Sequence, residues 1–231
     1  MNSDVKRNLR TYASKNKAIL LSRFFKTGKG EYGEGDRFLG IMVPHIRSVV
    51  KQFRDLPLQE TKKLIRSPWH EERLCGLLIL VDQFQRGDEK IRKRIYDTYL
   101  ASMKYVNNWD LVDLTTPRIV GAYLEHRPRN ILMTFAKSND LWKRRIAVLA
   151  TFWFIKDGDF SDALKIAHML RNDSHDLIHK AVGWMLREIG KRDVKTLESF
   201  LDTHAKHMPR TMLRYAIEKF PEKKRKGYMR R

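Results

Sequence analysis

The chain repeats a helical pattern about every 36 residues, and this repeat restricts the folds open to it. Equivalent stretches begin at Arg73, Trp109, Arg145 and Lys180, at intervals of 36, 36 and 35 residues. Apolar residues within them recur with the spacing of helices rather than the alternation of strands. A period of roughly 35 to 45 residues, with two or three helices per unit, is typical of HEAT-like arrays. We therefore predict an all-α fold, a curved HEAT-like repeat solenoid with a basic concave face.

Individual helices and their ends can be predicted from the same pattern. Residues 44–53 carry apolar side chains at i, i+3, i+4 and i+7, and residues 142–155 are apolar on most sides. Turn-forming residues lie at Pro57, Pro68, Gly87-Asp88, Pro128, Asp157-Gly158, Asn172-Asp173-Ser174, Arg192-Asp193 and Pro209. These breaks divide the chain into roughly a dozen helices joined by short loops.

Two segments depart from the repeat. Residues 28–35 are rich in glycine, which is compatible with a mobile connector or with a flap over a bound polymer. Residues 221–231 form a basic tail, expected to be disordered alone and to tether phosphates. We therefore divide the chain into a repeat domain, 1–220, and a C-terminal tail, 221–231.

The chain is strongly basic, with 47 Lys and Arg against 27 Asp and Glu and a net charge of +20. This balance favours an anionic partner, nucleic acid first and membrane surfaces or acidic proteins next. The longest apolar run, residues 74–81, contains the one cysteine, Cys75, which we place in the core. That run is too short for a membrane span, and residues 1–17 lack the apolar segment of a signal peptide. We expect a cytoplasmic, nucleoid-associated protein.

The sequence offers no pattern for metal or cofactor binding. The eight histidines are scattered, and His204 and His207, spaced i, i+3, lack an evident third ligand. Phosphate-loop, dinucleotide and nucleophile-elbow motifs are missing from the sequence. We expect neither a metal nor a cofactor, which leaves carboxylates, aromatic rings and basic groups to carry any chemistry.

Asp113 stands where other repeats carry apolar side chains. The equivalent residues are Leu77, Leu149 and Trp184. A carboxylate on an apolar face is costly unless it has a partner or a function. It could be a structural group paired with Arg145 or Lys180. Trp109, one helical turn earlier on the same face, favours instead an action on a cationic centre.

The indoles of Trp109 and Trp184 also admit two interpretations. Either could pack between repeats, or the two could form an aromatic wall for a nucleotide. Both lie near charged groups in the sequence, with Lys180 and Arg187 flanking Trp184. Such cations could bind phosphates.

Four segments give the chain a resemblance to a known family. These are residues 37–47, 108–113, 140–147 and 179–188. Together they resemble the bacterial AlkD-type DNA alkylation repair glycosylases, which are built from HEAT-like repeats. The resemblance implies base excision repair, in which N3- and N7-alkylated purines such as 3-methyladenine and 7-methylguanine are removed from duplex DNA without full base flipping.

The resemblance also implies roles for particular residues. It makes Asp113 the catalytic carboxylate, Trp109 and Trp184 the active-site indoles, and Arg145 a contact to the DNA backbone. Phe24 is the best match to an aromatic position that is often tyrosine in the family. We assign further DNA contacts to three cations, Arg47, Lys180 and Arg187.

The leading hypothesis is a monomeric, monofunctional DNA glycosylase in which Asp113 stabilises an oxocarbenium-like sugar and positions water. One alternative is a non-catalytic paralogue that binds damaged or branched DNA. Another is a protein-binding HEAT scaffold, a common use of such arrays.

Overall fold

The computed structural model describes residues 2–230 and is helical throughout, as predicted. Within this range the β-structure is limited to a single bridge between Arg37 and Trp69. Fourteen α-helices follow one another: α1 (Asn2–Arg10), α2 (Lys15–Phe24), α3 (Val43–Gln52), α4 (Leu58–Ile65), α5 (His70–Arg86), α6 (Glu89–Ala101), α7 (Trp109–Thr116), α8 (Asn130–Ala136), α9 (Leu141–Lys156), α10 (Ser161–Leu170), α11 (Asp176–Gly190), α12 (Val194–His204), α13 (Arg210–Ala216) and α14 (Glu222–Arg230). None of these helices has the length and apolar composition needed to cross a membrane.

The chain forms two compact units, one ending at Thr115 and the other beginning at Thr116. In the first unit, α5 is the central helix and packs against α3, α4 and α6. Its residues 74–81 are all buried, which explains why this segment is apolar on every side. Cys75 lies in this core with no exposed surface, as predicted.

In the second unit, α9 and α11 pack against each other, and α11 also packs against α13. The small residues of the repeat permit this close approach. A Cβ atom added to Gly183 of α11 would lie 2.5 Å from the Met212 carbonyl oxygen on α13. A larger residue there would push the two helices apart.

The predicted breaks all fall between helices, and aspartates start several of the helices that follow. The side chains of Asp88, Asp140 and Asp193 accept hydrogen bonds from backbone N–H groups of α6, α9 and α12. Pro117 is an additional break. It has no N–H to donate to the carbonyl of Asp113, so α7 ends at Thr116 and a π-helical turn, Pro117–Gly121, follows.

The C-terminal segment differs from the disordered tail that its charge suggested. It forms α14, in which Tyr228 is buried and donates its hydroxyl to Asp202 Oδ1 of α12 at 3.1 Å. Lys224 forms an ion pair with Glu198 of α12. One aromatic anchor and two acidic partners on α12 therefore join this mainly basic segment to the rest of the second unit.

We expect Tyr228→Ala to destabilise the protein by about 2 kcal/mol, because it removes a buried ring that joins α14 to the second unit. Tyr228→Phe, which keeps the ring and loses one hydrogen bond, should cost about 1 kcal/mol or less. Denaturant unfolding of both variants measures the difference. A Tyr228→Ala variant as stable as the wild type would show that α14 is not anchored by this ring.

Candidate functional site

Helix α7 places Trp109 and Asp113 one turn apart on the same face, as the sequence predicted. Trp109 is its first residue and Asp113 its fifth. Both side chains are half-buried, whereas Leu77 and Leu149, at the equivalent repeat positions, are fully buried. The carboxylate of Asp113 therefore lies at the border of the first unit's core rather than inside it.

Aromatic rings hold the indole of Trp109 from one side. Trp109 stacks on Phe25 with ring centroids 5.1 Å apart, and Phe25 stacks on Phe38 at 5.0 Å. Phe24, the aromatic residue named from the sequence, meets Trp109 edge-on at 5.8 Å and is 62% exposed. Sequence reasoning missed Phe25, although two adjacent phenylalanines at the end of α2 were a signal that one of them faces inward.

A buried ionic network lies beneath these rings, formed by Asp36, His70, Arg73 and Asp110. His70 bonds to Asp36 Oδ2 through Nδ1 at 2.9 Å and to Asp110 Oδ2 through Nε2 at 2.8 Å. Arg73 forms an ion pair with the other oxygen of Asp36. Sequence reasoning missed this network. Its signal was the run of ionisable residues at 70–73, directly before the longest apolar run of the chain.

The electrostatics of the network favour a protonated imidazole. Burial lowers the pKa of His70, but the carboxylates of Asp110 and Asp36 outweigh it and raise the pKa to about 9. Burial raises the pKa of Asp36, and its bonds to His70 and Arg73 more than reverse this, leaving that pKa below its usual value. At neutral pH, His70 is thus an imidazolium between two carboxylates.

Asp110 connects this network to the start of α7. Asp110, in the first turn as expected of an acid at a helix N-terminus, is buried and also accepts from the N–H of Leu111 at 2.8 Å. The side-chain oxygen of Asn108 accepts from the N–H of Trp109 at 2.8 Å. The first turn of α7 is therefore fixed by side chains on both sides of Trp109.

The glycine-rich segment at 28–35 forms a series of turns closed by its own hydrogen bonds. The N–H of Gly30 donates to Glu34, and that of Gly33 donates to the carbonyl of Lys26 at 2.9 Å. A Cβ atom on Gly33 would lie 2.4 Å from the carbonyl oxygen of Phe25. Glycine at this position thus lets the chain pass close to the residue that stacks on Trp109.

In the second unit, Trp184 lies in the middle of α11. Its ring is half-buried and 5.8 Å from that of Phe152, and its Nε1 donates to Glu188 Oε1 at 3.2 Å. Burial raises the pKa of Glu188, but Lys191 and Arg192 outweigh it and keep that pKa low. A carboxylate therefore fixes the orientation of the Trp184 indole.

The cations named from the sequence differ in solvent exposure and in whether they have acidic partners. Arg145 was expected at the DNA backbone, yet it is 4% exposed and donates to the carbonyl of Leu177, beside the start of α11. The equivalent repeat positions predict where Arg145 lies along α9, but they do not predict its exposure to solvent. Lys180 pairs with Asp176 at 2.6 Å and Arg187 pairs with Glu218, whereas Arg47 is exposed on α3.

Histidines, cysteines and acids do not gather into a metal site in residues 2–230. No group of three or more of these side chains there could bind an ion. His204 lies 3.5 Å from His168, and the pKa of His204 is lowered by its burial and by this neighbouring histidine.

The described residues form an all-helical protein consistent with a helical-repeat solenoid, and comparison with known families identifies the family. Residues 5–220 match the family described as DNA alkylation repair enzyme, and the chain belongs to that family. The function is therefore enzymatic repair of alkylated DNA. No curated protein sequence matches the chain.

A solved structure gives independent support for the fold. It is described as a predicted DNA alkylation repair enzyme from Enterococcus faecalis, with a TM-score of 0.72 and 17% identity. The alignment covers 91% of this chain and 97% of that one. At this identity the likeness concerns the fold.

Proposed function

We propose that the protein is an AlkD-type DNA glycosylase that hydrolyses the N-glycosidic bond of N3- and N7-alkylated purines in duplex DNA. The observation that carries this proposal is the half-buried carboxylate of Asp113 one helical turn from the stacked indole of Trp109. The reaction needs no metal or cofactor, because the alkylated base is already cationic and leaves readily.

Asp113 acts on the charge that moves during bond cleavage. The departing purine takes the electron pair of the glycosidic bond and becomes neutral, and positive charge develops on the deoxyribose. A carboxylate near this sugar stabilises the oxocarbenium-like state. The oxygen of a water molecule then bonds to C1′ and its proton passes to the carboxylate or to solvent, leaving an abasic site. Partial burial strengthens this attraction, because solvent screens it less.

Trp109 supplies the second attraction to the cation. An indole face attracts positive charge through its quadrupole, and the stack on Phe25 and Phe38 keeps this ring in one orientation. Phe24 adds an exposed ring edge-on to the indole but lacks the hydroxyl of the family's tyrosine. We assign the second indole contact to Trp184, whose Nε1 is bonded to Glu188, so that its ring faces make the contact.

The N-terminal helices offer the clearest surface for the DNA backbone. Residues 5–30 contain no Asp or Glu and carry eight cations: Lys6, Arg7, Arg10, Lys15, Lys17, Arg23, Lys26 and Lys29. No residue of α2 is buried, and its Lys15, Lys17 and Arg23 are exposed. We assign the backbone contacts first to Lys15, Lys17 and Arg23 of α2 and to Arg47. Cations that have acidic partners receive a smaller role: Lys6, Arg7, Arg10, Lys26, Lys180 and Arg187.

We expect Asp113→Asn to slow the release of 7-methylguanine from methylated duplex DNA by at least about 100-fold, because the amide cannot balance the charge on the sugar. Binding to the same DNA should remain. Asp157→Asn, an exposed acid at the end of α9, is the matched control and should release base at the wild-type rate. Unchanged release by Asp113→Asn would refute the assignment.

Duplex binding should weaken steeply with salt, and the combined Lys15→Ala, Lys17→Ala and Arg23→Ala variant should show a shallower slope. Each lost phosphate contact lowers the slope of log K against log salt by about 1. Lys90→Ala on α6 is the control with an unchanged slope. Tight binding without base release would favour the non-catalytic paralogue, and a lack of DNA affinity would favour the protein scaffold.

A further inference from the structure

We propose that His70 is a positioning residue for α7, one that fixes Trp109 and Asp113 by bridging Asp36 and Asp110. The inference rests on the proposed function for its effect on catalysis, but its geometry stands independently. His70 lies at the start of α5 and is 2% exposed, so it contacts neither solvent nor substrate. Its effect on the reaction must pass through its neighbours.

Three separate parts of the first unit meet at this side chain. The backbone N–H of His70 donates to the carbonyl of Arg37 at 2.8 Å, which fixes the start of α5 against the loop between α2 and α3. Its ring then bonds to Asp36 in that loop and to Asp110 in the first turn of α7. Asp110 follows Trp109 directly in the chain. Any displacement of the imidazole therefore moves the residue next to the active-site indole.

The bridge requires a protonated histidine. Imidazolium has two N–H donors on opposite sides of a rigid ring, so it can donate to two carboxylates at once. Neutral imidazole has one donor, and glutamine has both of its donors on a single nitrogen. Neither of these groups can donate to two carboxylates from opposite sides of one ring. Asp36 has one further, weaker contact, because the side-chain amide of Asn108 donates to its Oδ2 at 3.5 Å.

The imidazole also supports Trp109 through the aromatic rings. It stacks on Phe38 at 4.5 Å, and its centroid lies 5.0 Å from that of Phe25. Phe25 in turn stacks on Trp109. His70 therefore supports the indole of Trp109 by two routes. One is its bond to Asp110, the next residue in the chain, and the other is its contact with Phe25, which stacks on the indole.

The charged groups around the imidazole set the direction of its pH dependence. Asp36 from the loop and Asp110 from α7 attract its proton, while Arg73 from its own helix neutralises part of Asp36. Glu71 and Glu72, next on α5, bond instead to the backbone of residues 39–41 and to α1. Because the pKa of His70 is raised from 6.5 to about 9, its stabilising contribution is complete below pH 6.5 and disappears as the pH rises through 9.

The decisive experiment is an NMR titration of the full-length protein between pH 6 and pH 10. We expect the His70 ring to titrate near pH 9 and the indole N–H signal of Trp109 to shift with the same midpoint. In His70→Gln, the Trp109 shift near pH 9 should disappear. His126→Gln, an exposed histidine of the second unit, should leave it unchanged. A His70 that titrates near 6.5, or a Trp109 signal that does not follow His70, would overturn the proposal.

Base release provides the link to catalysis. With bound DNA in single turnover at pH 7, His70→Gln should release 7-methylguanine about tenfold more slowly than the wild type at unchanged DNA affinity, because a displaced carboxylate stabilises the sugar less well. Asp110→Asn, which keeps a hydrogen-bond acceptor, should show a smaller loss. If His70→Gln does not fold, the wild-type titration still decides the outcome. A wild type that releases no base would refute the proposed function, while the titration would still test the positioning by His70.

Discussion

One buried imidazolium between two carboxylates joins the parts of the first unit that carry the site. His70 bonds to Asp36 and Asp110 across separations of 34 and 40 residues, and Arg73 balances the second negative charge. Desolvating such charges is costly, so the attraction between them is partly offset, yet removal of one partner typically costs about 3–5 kcal/mol. The network therefore specifies one arrangement of helices, and its contribution to stability depends on the protonation of His70.

Helix α7 depends on such tertiary anchoring because it is short. Its eight residues, Trp109–Thr116, are too few for a helix to be stable alone, and Pro117 ends its regular hydrogen bonding. Its first turn is fixed by Asn108 and Asp110, and its first side chain by Phe25. Rigid support below a half-buried carboxylate suits the electrostatic catalysis that we propose for Asp113, since a stabilising charge must already be in place when the positive charge develops.

The helical fold, and the position of Trp109 and Asp113 on one helix face, were predictable from residue spacing along the sequence. Helix breaks follow from proline, glycine and aspartate chemistry, and the pairing of Trp109 with Asp113 follows from the i, i+4 spacing within one helix. The contacts of His70 were not predictable, because they join residues that no single repeat contains. The burial of Arg145 was not predictable either, because its place in the repeat indicates a position along a helix and not the residues that surround it. The basic charge of residues 221–231 suggested disorder, because net charge does not show that Tyr228 can pack its ring in the core and anchor α14.

The central claim is that Asp113 stabilises positive charge on a deoxyribose. Its most direct test compares binding to two duplexes that each carry an abasic-site analogue, one with a cationic nitrogen in the sugar ring and the other a neutral tetrahydrofuran. The wild type should bind the cationic analogue at least about tenfold more tightly, as expected of a site complementary to the transition state, and Asp113→Asn should lose this preference. Equal preference in the two proteins would contradict the account.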